Sequence, residues 1–410
     1  MKREDCIILD GNDPLAKYRE QFIIPEKMIY LDGNSLGVLP RIVSERVAHT
    51  TLTEWGKELI SSWNTHWIDL PHSVGEKIAS LIGAAPGQVI CTDSTSINLF
   101  KLLVTGLHLN SGRTTILSQK DNFPTDLYMA QGLAAMLGED RCQLRMVAED
   151  ELIDALDENT AIVMLTQVNF RTGKLHDMEK ITSEAHLAGA LTLWDLSHSA
   201  GAMPIHLDDC EIDLAVGCGY KFLNGGPGAP AYLYVARRHQ HLAMQPLSGW
   251  MGHEKPFDFS PQYTPGEGIQ RFLSGTPGIL GLSALDSALD LWHDVDLEMV
   301  RKKSIDLSNL FIKQLASNPE LSKMRLVSPT DEEQRGSQVC FAHPEGYAVI
   351  QALIDHGVIS DFREPDVLRF GFNPLYNSFV EIFDAVELLR QVITSGEYLN
   401  PKFHTKSLVT

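Results

Sequence analysis

The chain has 410 residues, 44% of them hydrophobic, and carries 34 basic and 53 acidic side chains for a formal net charge of −19. This composition predicts a globular protein with a large core and excludes a disordered or fibrous chain. The negative charge repels phosphate backbones and anionic membrane surfaces, so we expect no nucleic-acid partner and no membrane association.

Targeting and metal signals are missing from the sequence. No stretch reaches the ~18–20 apolar residues of a membrane span, and the first twenty residues lack the apolar run of a signal peptide. The six cysteines are scattered, and no Cys or His residues show zinc-binding spacing. We therefore expect a cytoplasmic protein with reduced thiols and no metal site.

Short apolar runs alternate with helical patterns between about residues 75 and 235. The runs at 89–91, 115–117, 161–165 and 191–194 are typical of strands buried on both faces. Helical patterns lie between them at about 96–107, 125–137, 149–156 and 178–187. This order predicts an α/β fold with a mostly parallel, helix-covered sheet, in which ligands bind at the carboxyl ends of the strands.

The order of elements changes after about residue 290. A long helical pattern to 315 precedes strand-like runs at 324–327, 338–341 and 367–370, with a helix at 346–355. We predict a smaller α+β C-terminal domain at 291–410, a large domain at 51–290, and an N-terminal segment, 1–50, associated with the small domain.

Asp195 directly follows the apolar run 191–194, in the segment DLSHSAG. An ionised aspartate at the end of a buried strand requires a cationic or hydrogen-bonding partner, and a protonated pyridine nitrogen is one such partner. The alternative is an aspartate that caps the next turn.

Lys221 follows the apolar run 214–216 and precedes a glycine-rich stretch, in GCGYKFLNGGPG. A lysine in such surroundings is desolvated, which lowers its pKa and makes it a Schiff-base nucleophile. A surface lysine beside a glycine turn is the alternative.

Two further segments suit a flat, phosphorylated cofactor. The hydroxyl-rich sequence DSTSINL at 93–99 joins a strand to a helix, and the N–H groups of such a helix start bind phosphate, although they also suit a simple N-cap. In NFPTD at 122–126, the aromatic ring could stack on a heterocycle while the carboxylate accepts a hydrogen bond; a turn with a core phenylalanine is the alternative.

Taken together, the sequence resembles the kynureninase family, which belongs to the aspartate-aminotransferase-like (fold type I) pyridoxal-phosphate enzymes. The resemblance extends almost from end to end, through YLDGNSLG at 30–37, GWMGH at 249–253 and RFGFNPLYN at 369–377. Those motifs distinguish the family from its superfamily relatives, and the match is closest to the bacterial type.

The resemblance implies a role for each matching position. Lys221 forms the Schiff base with pyridoxal 5'-phosphate, Asp195 pairs with the pyridine nitrogen, and Tyr220 helps to hold the phosphate, besides being our candidate for proton transfer during hydration of the substrate carbonyl. The other cofactor-binding residues it implies are Thr95, Ser96, Phe123, Asp126, Thr166 and His198, together with Trp250 and Thr276 from the neighbouring subunit of a homodimer whose active sites lie at the interface. Arg369 binds the substrate carboxylate.

The implied reaction is hydrolytic Cβ–Cγ cleavage of L-kynurenine to anthranilate and L-alanine, in tryptophan degradation and NAD biosynthesis. Trp63 and Gly275 surround the substrate's aromatic ring, and the apolar wall favours L-kynurenine over its 3-hydroxy derivative; the alternative is that Trp63 is an ordinary core aromatic. The alternatives are another fold type I enzyme, such as a cysteine desulfurase or an aminotransferase, and a non-catalytic relative. Cys340 lies in an apolar, strand-like run, which argues against a desulfurase because that reaction requires a mobile cysteine.

Overall fold

The structure is a computed structural model that describes residues 1–406. Residues 407–410, the end of the predicted C-terminal domain, lie outside the described range. The helices are α1 (Arg3–Gly11), α2 (Arg41–His49), α3 (Ser62–Thr65), α4 (Leu70–Leu81), α5 (Thr95–Leu109), α6 (Pro124–Leu137), α7 (Met178–Leu187), α8 (Arg237–Gln240), α9 (Ile279–Leu289), α10 (Leu297–Ala316), α11 (Gly346–Asp355) and α12 (Phe379–Ser395), with a π-helical segment, Thr50–Glu58, after α2. The strands are β1 (Ile29–Tyr30), β2 (Val89–Cys91), β3 (Thr115–Gln119), β4 (Gln143–Val147), β5 (Thr160–Thr166), β6 (Leu191–Asp195), β7 (Leu214–Gly217), β8 (Tyr232–Val235), β9 (Arg325–Leu326), β10 (Gln338–Ala342), β11 (Val358–Ile359), β12 (Asp361–Arg363) and β13 (Val367–Gly371).

The larger sheet has the strand order β2-β8-β7-β6-β5-β3-β4. Its strands pair in parallel from β4 through β7, whereas β8 is antiparallel to both of its neighbours. Both faces are buried: along β5, Ile162 and Met164 pack into one apolar cluster and Val163 and Leu165 into another. The predicted mostly parallel, helix-covered sheet is therefore confirmed.

A smaller antiparallel sheet, β12-β13-β10-β9, lies in the C-terminal part of the chain. Its apolar cluster also contains residues of α10, α11 and α12. Part of the N-terminal segment joins this region, because β1 pairs with β11 and Ile29 lies opposite Val358. Helix α2 of the same segment packs instead on α9, where Val43 clusters with Ala284 and Ala288. The predicted boundaries at residues 50 and 290 stay a prediction.

The sequence-predicted elements agree with the structure except at one helix. The segment predicted as a helix at 149–156 forms only a 3-10 turn, Glu149–Glu151, followed by further turns. A helix this short is costly to nucleate, and carboxylates at Asp154 and Asp157 oppose the dipole at its C-terminal end. Strand β4 lacks an apolar signal because it is a partly exposed edge strand. Among residues 1–406, no helix has the length and apolar character needed to cross a bilayer.

Candidate active site

A cavity of about 370 Å³ opens beside the carboxyl ends of the central strands. Asp195, the last residue of β6, pairs with Thr166 of β5 on one side and with Val216 of β7 on the other. The cavity brings together most of the residues that the sequence predicted for the cofactor: Thr95, Ser96, Phe123, Asp126, Thr166, Asp195, His198, Tyr220 and Lys221. This is the edge of a parallel sheet at which ligands are expected.

Two buried carboxyl groups line the cavity. Asp195 accepts a hydrogen bond at Oδ1 from the backbone N–H of Ser197 (2.7 Å), whereas neither oxygen of Asp126 has a hydrogen-bond partner among the described residues, 1–406. Burial raises the pKa of the Asp126 carboxyl well above its usual range, and Asp195 raises it further. Burial also raises the pKa of Asp195, although the Ser197 hydrogen bonds and the charge of Lys221 oppose the change. Hydrogen-bond donors or a positive charge inside the cavity would therefore stabilise these two carboxyl groups.

Lys221 supplies an amine to this cavity. Its Nζ lies 5.9 Å from the centroid of the Phe123 ring, which packs edge-on against Phe170 with centroids 5.3 Å apart. The motif at 30–37 fixes the backbone next to the lysine, because the Gly37 N–H donates to the Tyr220 carbonyl at 2.8 Å. A side chain at Gly37 would collide with the Lys221 carbonyl oxygen, which explains the glycine at that position.

The start of helix α5 forms another wall. Ser94 caps the helix by accepting a hydrogen bond from the Ile97 N–H at 3.4 Å, and Thr95 and Ser96 follow in the first turn. The residue before the cap, Asp93, is paired with the fully buried Lys101 (Nζ–Oδ2 2.6 Å). The first-turn N–H groups of a helix have no partners within the helix, and its dipole favours an anion there.

Tyr220 and His198 are both neutral at this site. Burial raises the pKa of the Tyr220 phenol, so the phenol keeps its proton. Burial lowers the pKa of His198 well below its usual range, and the charges of Lys221 and Arg369 lower it further. The His198 Nδ1 lies 3.1 Å from Oε1 of Gln338, a residue of β10 that the sequence analysis did not identify.

These groups fit the predicted cofactor. The Asp195 carboxylate and the Asp126 oxygens, which have no partner within residues 1–406, suit the polar groups of a pyridinium ring, and the aromatic face of Phe123 suits stacking. The helix start at Thr95 and Ser96 suits a phosphate, and the Lys221 amine suits an aldehyde.

Arg369 lies behind the cavity wall rather than in it. The residue is 1% exposed and pairs with Asp361 of the neighbouring strand, its Nε lying 2.7 Å from Oδ1. Its Nη1 donates to the carbonyl oxygen of Phe170, which does line the cavity (2.6 Å). The sequence predicted only the substrate carboxylate as a partner of this arginine and did not identify Asp361.

Besides Arg369, four predicted residues do not line the cavity of their own chain. Trp250 packs edge-on against Phe257 (5.5 Å), and Trp63 packs edge-on against Trp67 (5.6 Å). Gly275 and Thr276 lie in an exposed loop. The assignment of Trp250 and Thr276 to the site of a neighbouring subunit stays a prediction, as do the substrate contacts of Trp63 and Gly275.

Comparisons with known proteins identify the relatives of this chain. The sequence model named Kynureninase C-terminal domain matches residues 300–389. A kynureninase from Burkholderia pseudomallei (strain 1106a) is 49% identical over 414 residues, which cover 100% of this chain and 99% of that protein. A kynureninase from Pseudomonas fluorescens is 47% identical with the same coverage.

Solved structures show the same fold at lower identity. The apo structure of a cysteine desulfurase from Thermococcus onnurineus NA1 has a TM-score of 0.78 at 20% identity and covers 93% of this chain and 98% of its own. A C-DES mutant with glycine covalently linked to the PLP cofactor has a TM-score of 0.79 at 20% identity, with 90% and 98% covered. These similarities establish the fold alone.

Proposed function

Because the chain belongs to the kynureninase family, we propose that it hydrolyses L-kynurenine to anthranilate and L-alanine with pyridoxal phosphate as its cofactor. The observation that carries the proposal is 49% identity along the whole chain. The proposal is also supported by the site, because Lys221, Asp195 and Asp126, which the proposed chemistry requires, line the same cavity.

Pyridoxal phosphate, when bound, supplies an electron sink for bond breaking next to the substrate's amine-bearing carbon. The residues that would hold it are Lys221 through its amine, Asp195 at the ring nitrogen and Phe123 against the ring face. Thr95 and Ser96 would bind the phosphate at the start of α5. Asp126, Thr166 and His198 would complete the pocket. By the family resemblance, Tyr220 would also contact the phosphate, together with Trp250 and Thr276 of the partner subunit.

Lys221 and Tyr220 are the proposed proton carriers. The Lys221 Nζ removes a proton from the substrate Cα and later returns it to the product. Water adds to the γ-carbonyl carbon, the Cβ–Cγ bond breaks, and anthranilate and alanine together contain the atoms of one kynurenine and one water. The Tyr220 hydroxyl, which keeps its proton because burial raises its pKa, donates that proton during hydration of the carbonyl.

The substrate contacts are proposed from the family resemblance. Arg369 binds the substrate carboxylate, and Trp63 and Gly275 border the aromatic ring. An apolar wall at Trp63 offers a 3-hydroxyl group no hydrogen-bond partner, which supports a preference for L-kynurenine over 3-hydroxy-L-kynurenine.

A cysteine desulfurase is the competing function, since the fold neighbours include such enzymes. Cys340 lies within strand β10 and is fully buried, and burial raises the pKa of its thiol to about 11. A thiol held in the middle of a sheet does not meet the need for a mobile nucleophile. This observation favours kynurenine hydrolysis.

A homodimer is proposed as the working assembly. Several large apolar side chains are exposed on the π-helical segment and the turn after it, including Leu52 (69% exposed), Trp55 and Ile60 (80%). An exposed apolar patch of this kind is typical of a protein interface. The cytoplasmic location and the place in tryptophan degradation or NAD biosynthesis are likewise proposals.

Purified, cofactor-loaded protein should convert L-kynurenine into equal amounts of anthranilate and L-alanine, measured by chromatography. The Lys221→Ala variant is the control and should form neither product. Formation of alanine and, in the presence of a thiol reductant, sulfide from L-cysteine at a higher kcat/KM than kynurenine cleavage would overturn the proposal.

A further inference from the structure

The first and last sequence motifs, 30–37 and 369–377, meet in one buried unit. The Gly371 N–H donates to the Leu31 carbonyl at 2.7 Å, and the Asn377 side chain donates to the Tyr30 carbonyl at 2.9 Å. A side chain at Gly371 would collide with Asn34, so the two segments are in close contact. The proposed reaction assigns a role in this unit to Arg369 alone.

Nearly all the hydrogen-bonding capacity of Arg369 is used inside this unit. A guanidinium has five N–H donors. Nε and Nη2 both donate to Asp361 (2.7 Å for Nε to Oδ1), Nη2 also donates to Ser35 Oγ (3.0 Å), and Nη1 donates to the Phe170 carbonyl. Within residues 1–406, one N–H on Nη1 is therefore left for a ligand. The other N–H of Nη1 donates to Phe170, which lines the cavity.

Asp361 and Ser35 fix the plane of the guanidinium. Asp361 is as deeply buried as Arg369, with side chains 2% and 1% exposed, and it binds the arginine in a two-point fork. Ser35 Oγ donates to Asp361 Oδ2 at 2.7 Å while it accepts from Arg369. Such a fork specifies orientation as well as charge.

We propose that Asp361, supported by Ser35, is a positioning residue that orients Arg369 so that the remaining Nη1 N–H binds the α-carboxylate of the substrate. This inference rests on the proposed function, because that function supplies the amino-acid substrate.

The charges around Asp361 support the binding of an anion. Arg363 Nη2 lies 2.9 Å from Asp361, so two arginines share this carboxylate. Burial and the nearby Asp361 raise the pKa of Asp32 to about 7, so Asp32 is largely protonated below that pH. The other titratable neighbours are neutral, because burial raises the pKa of Tyr30, Tyr376 and Cys340 and lowers that of His198. Below about pH 7 the cluster therefore carries one excess positive charge, which one carboxylate neutralises.

Asp361→Asn should raise the KM for L-kynurenine at least about tenfold and change kcat less than about threefold, because an amide cannot accept both fork hydrogen bonds. Asp384→Asn is the matched control. Asp384 forms the same fork with Arg3 (2.8 and 2.9 Å), but this pair is partly exposed and has no proposed role in the reaction. The KM of the Asp384→Asn variant should therefore match that of the wild type.

Ligand binding separates positioning from a general structural role. L-Alanine and L-alaninamide, which lacks the carboxylate charge, are compared through the shift in melting temperature that each causes in cofactor-loaded protein. Asp361→Asn should weaken L-alanine binding at least about tenfold and leave L-alaninamide binding unchanged. Equal weakening of both ligands, or an unchanged KM, would overturn the proposal.

Ser35→Ala decides the question if Asp361→Asn does not fold. It should weaken L-alanine binding about two- to fivefold without affecting L-alaninamide, and no effect on either ligand would overturn the proposal. A wild-type protein that binds L-alanine selectively but does not cleave kynurenine would refute the proposed function without refuting the role of Asp361.

Discussion

The replacement of Asp126 by leucine should stabilise the cofactor-free protein, which is unusual for a change at a candidate active site. Both side chains have four heavy atoms that branch at Cγ. Asp126 is fully buried, neither of its oxygens has a hydrogen-bond partner in the described part of the chain, and Asp195 repels its ionised form. Removal of a buried, unsatisfied polar group should therefore raise the free energy of unfolding.

The magnitude follows from the size of the chain. Unfolding of 410 residues has an entropy of about 0.9 kcal/mol/K at the average value per residue. Replacing an unsatisfied buried carboxyl group is expected to contribute about 1–3 kcal/mol. The melting temperature of the cofactor-free protein should then rise by about 1–3 °C.

Asp213→Leu is the matched control, and its melting temperature should change in the opposite direction. Asp213 is equally buried, but it accepts hydrogen bonds from the Thr192 N–H (2.8 Å) and Arg238 (2.9 Å) and pairs with His186 and His239. Its loss should cost about 3–5 kcal/mol, which lowers the melting temperature by about 3–6 °C. Calorimetry of cofactor-stripped proteins measures both changes. If Asp126→Leu melts below the wild type, the cavity carboxylate is satisfied in solution and the argument for a missing partner fails.

The remaining predictions concern catalysis, specificity and pH. Lys221→Ala should abolish turnover but retain part of the cofactor affinity, because the ring and phosphate contacts survive; dialysis followed by cofactor quantification, with a kinetic assay, measures both. The wild type should favour L-kynurenine over 3-hydroxy-L-kynurenine by about 10-fold or more in kcat/KM. Trp63→His should reduce this ratio. Equal kcat/KM values of the wild type for the two substrates would refute the role of Trp63. The hydrogen bonds from His186 and His239 lower the pKa of Asp213 below its unfolded value, so the stability it contributes is present above pH ~4 and is lost as the pH falls further. Acid titration of unfolding should accordingly destabilise the wild type more than Asp213→Leu.

Local sequence patterns predicted the large sheet and most of the cavity. An apolar run that ends in a polar residue indicates both a buried strand and its carboxyl end, and this pattern identified Asp195. Thr166, its partner on the neighbouring strand, came from the family resemblance. The start of α5 was predictable for a similar reason, because hydroxyl residues before a helical pattern mark a helix N-terminus.

Contacts between distant segments could not be predicted in this way. Gln338 reaches His198 across 140 residues, and no local signal connects them. Asp361 would have been easier to predict than Gln338. A hairpin centred on residues 364–366 places Asp361 opposite Arg369 in the antiparallel register. The roles of Trp250 and Thr276 depend on a second chain, and the fold of one chain does not test them.

The most direct test of the central claim is the reduction of cofactor-loaded protein with borohydride, followed by peptide mass analysis. We predict loss of the visible absorbance band and a pyridoxyl mass increase on the peptide that contains Lys221, at one per chain. A band that survives reduction, or a modification on any other lysine, would contradict the assignment of Lys221 and the site built around it.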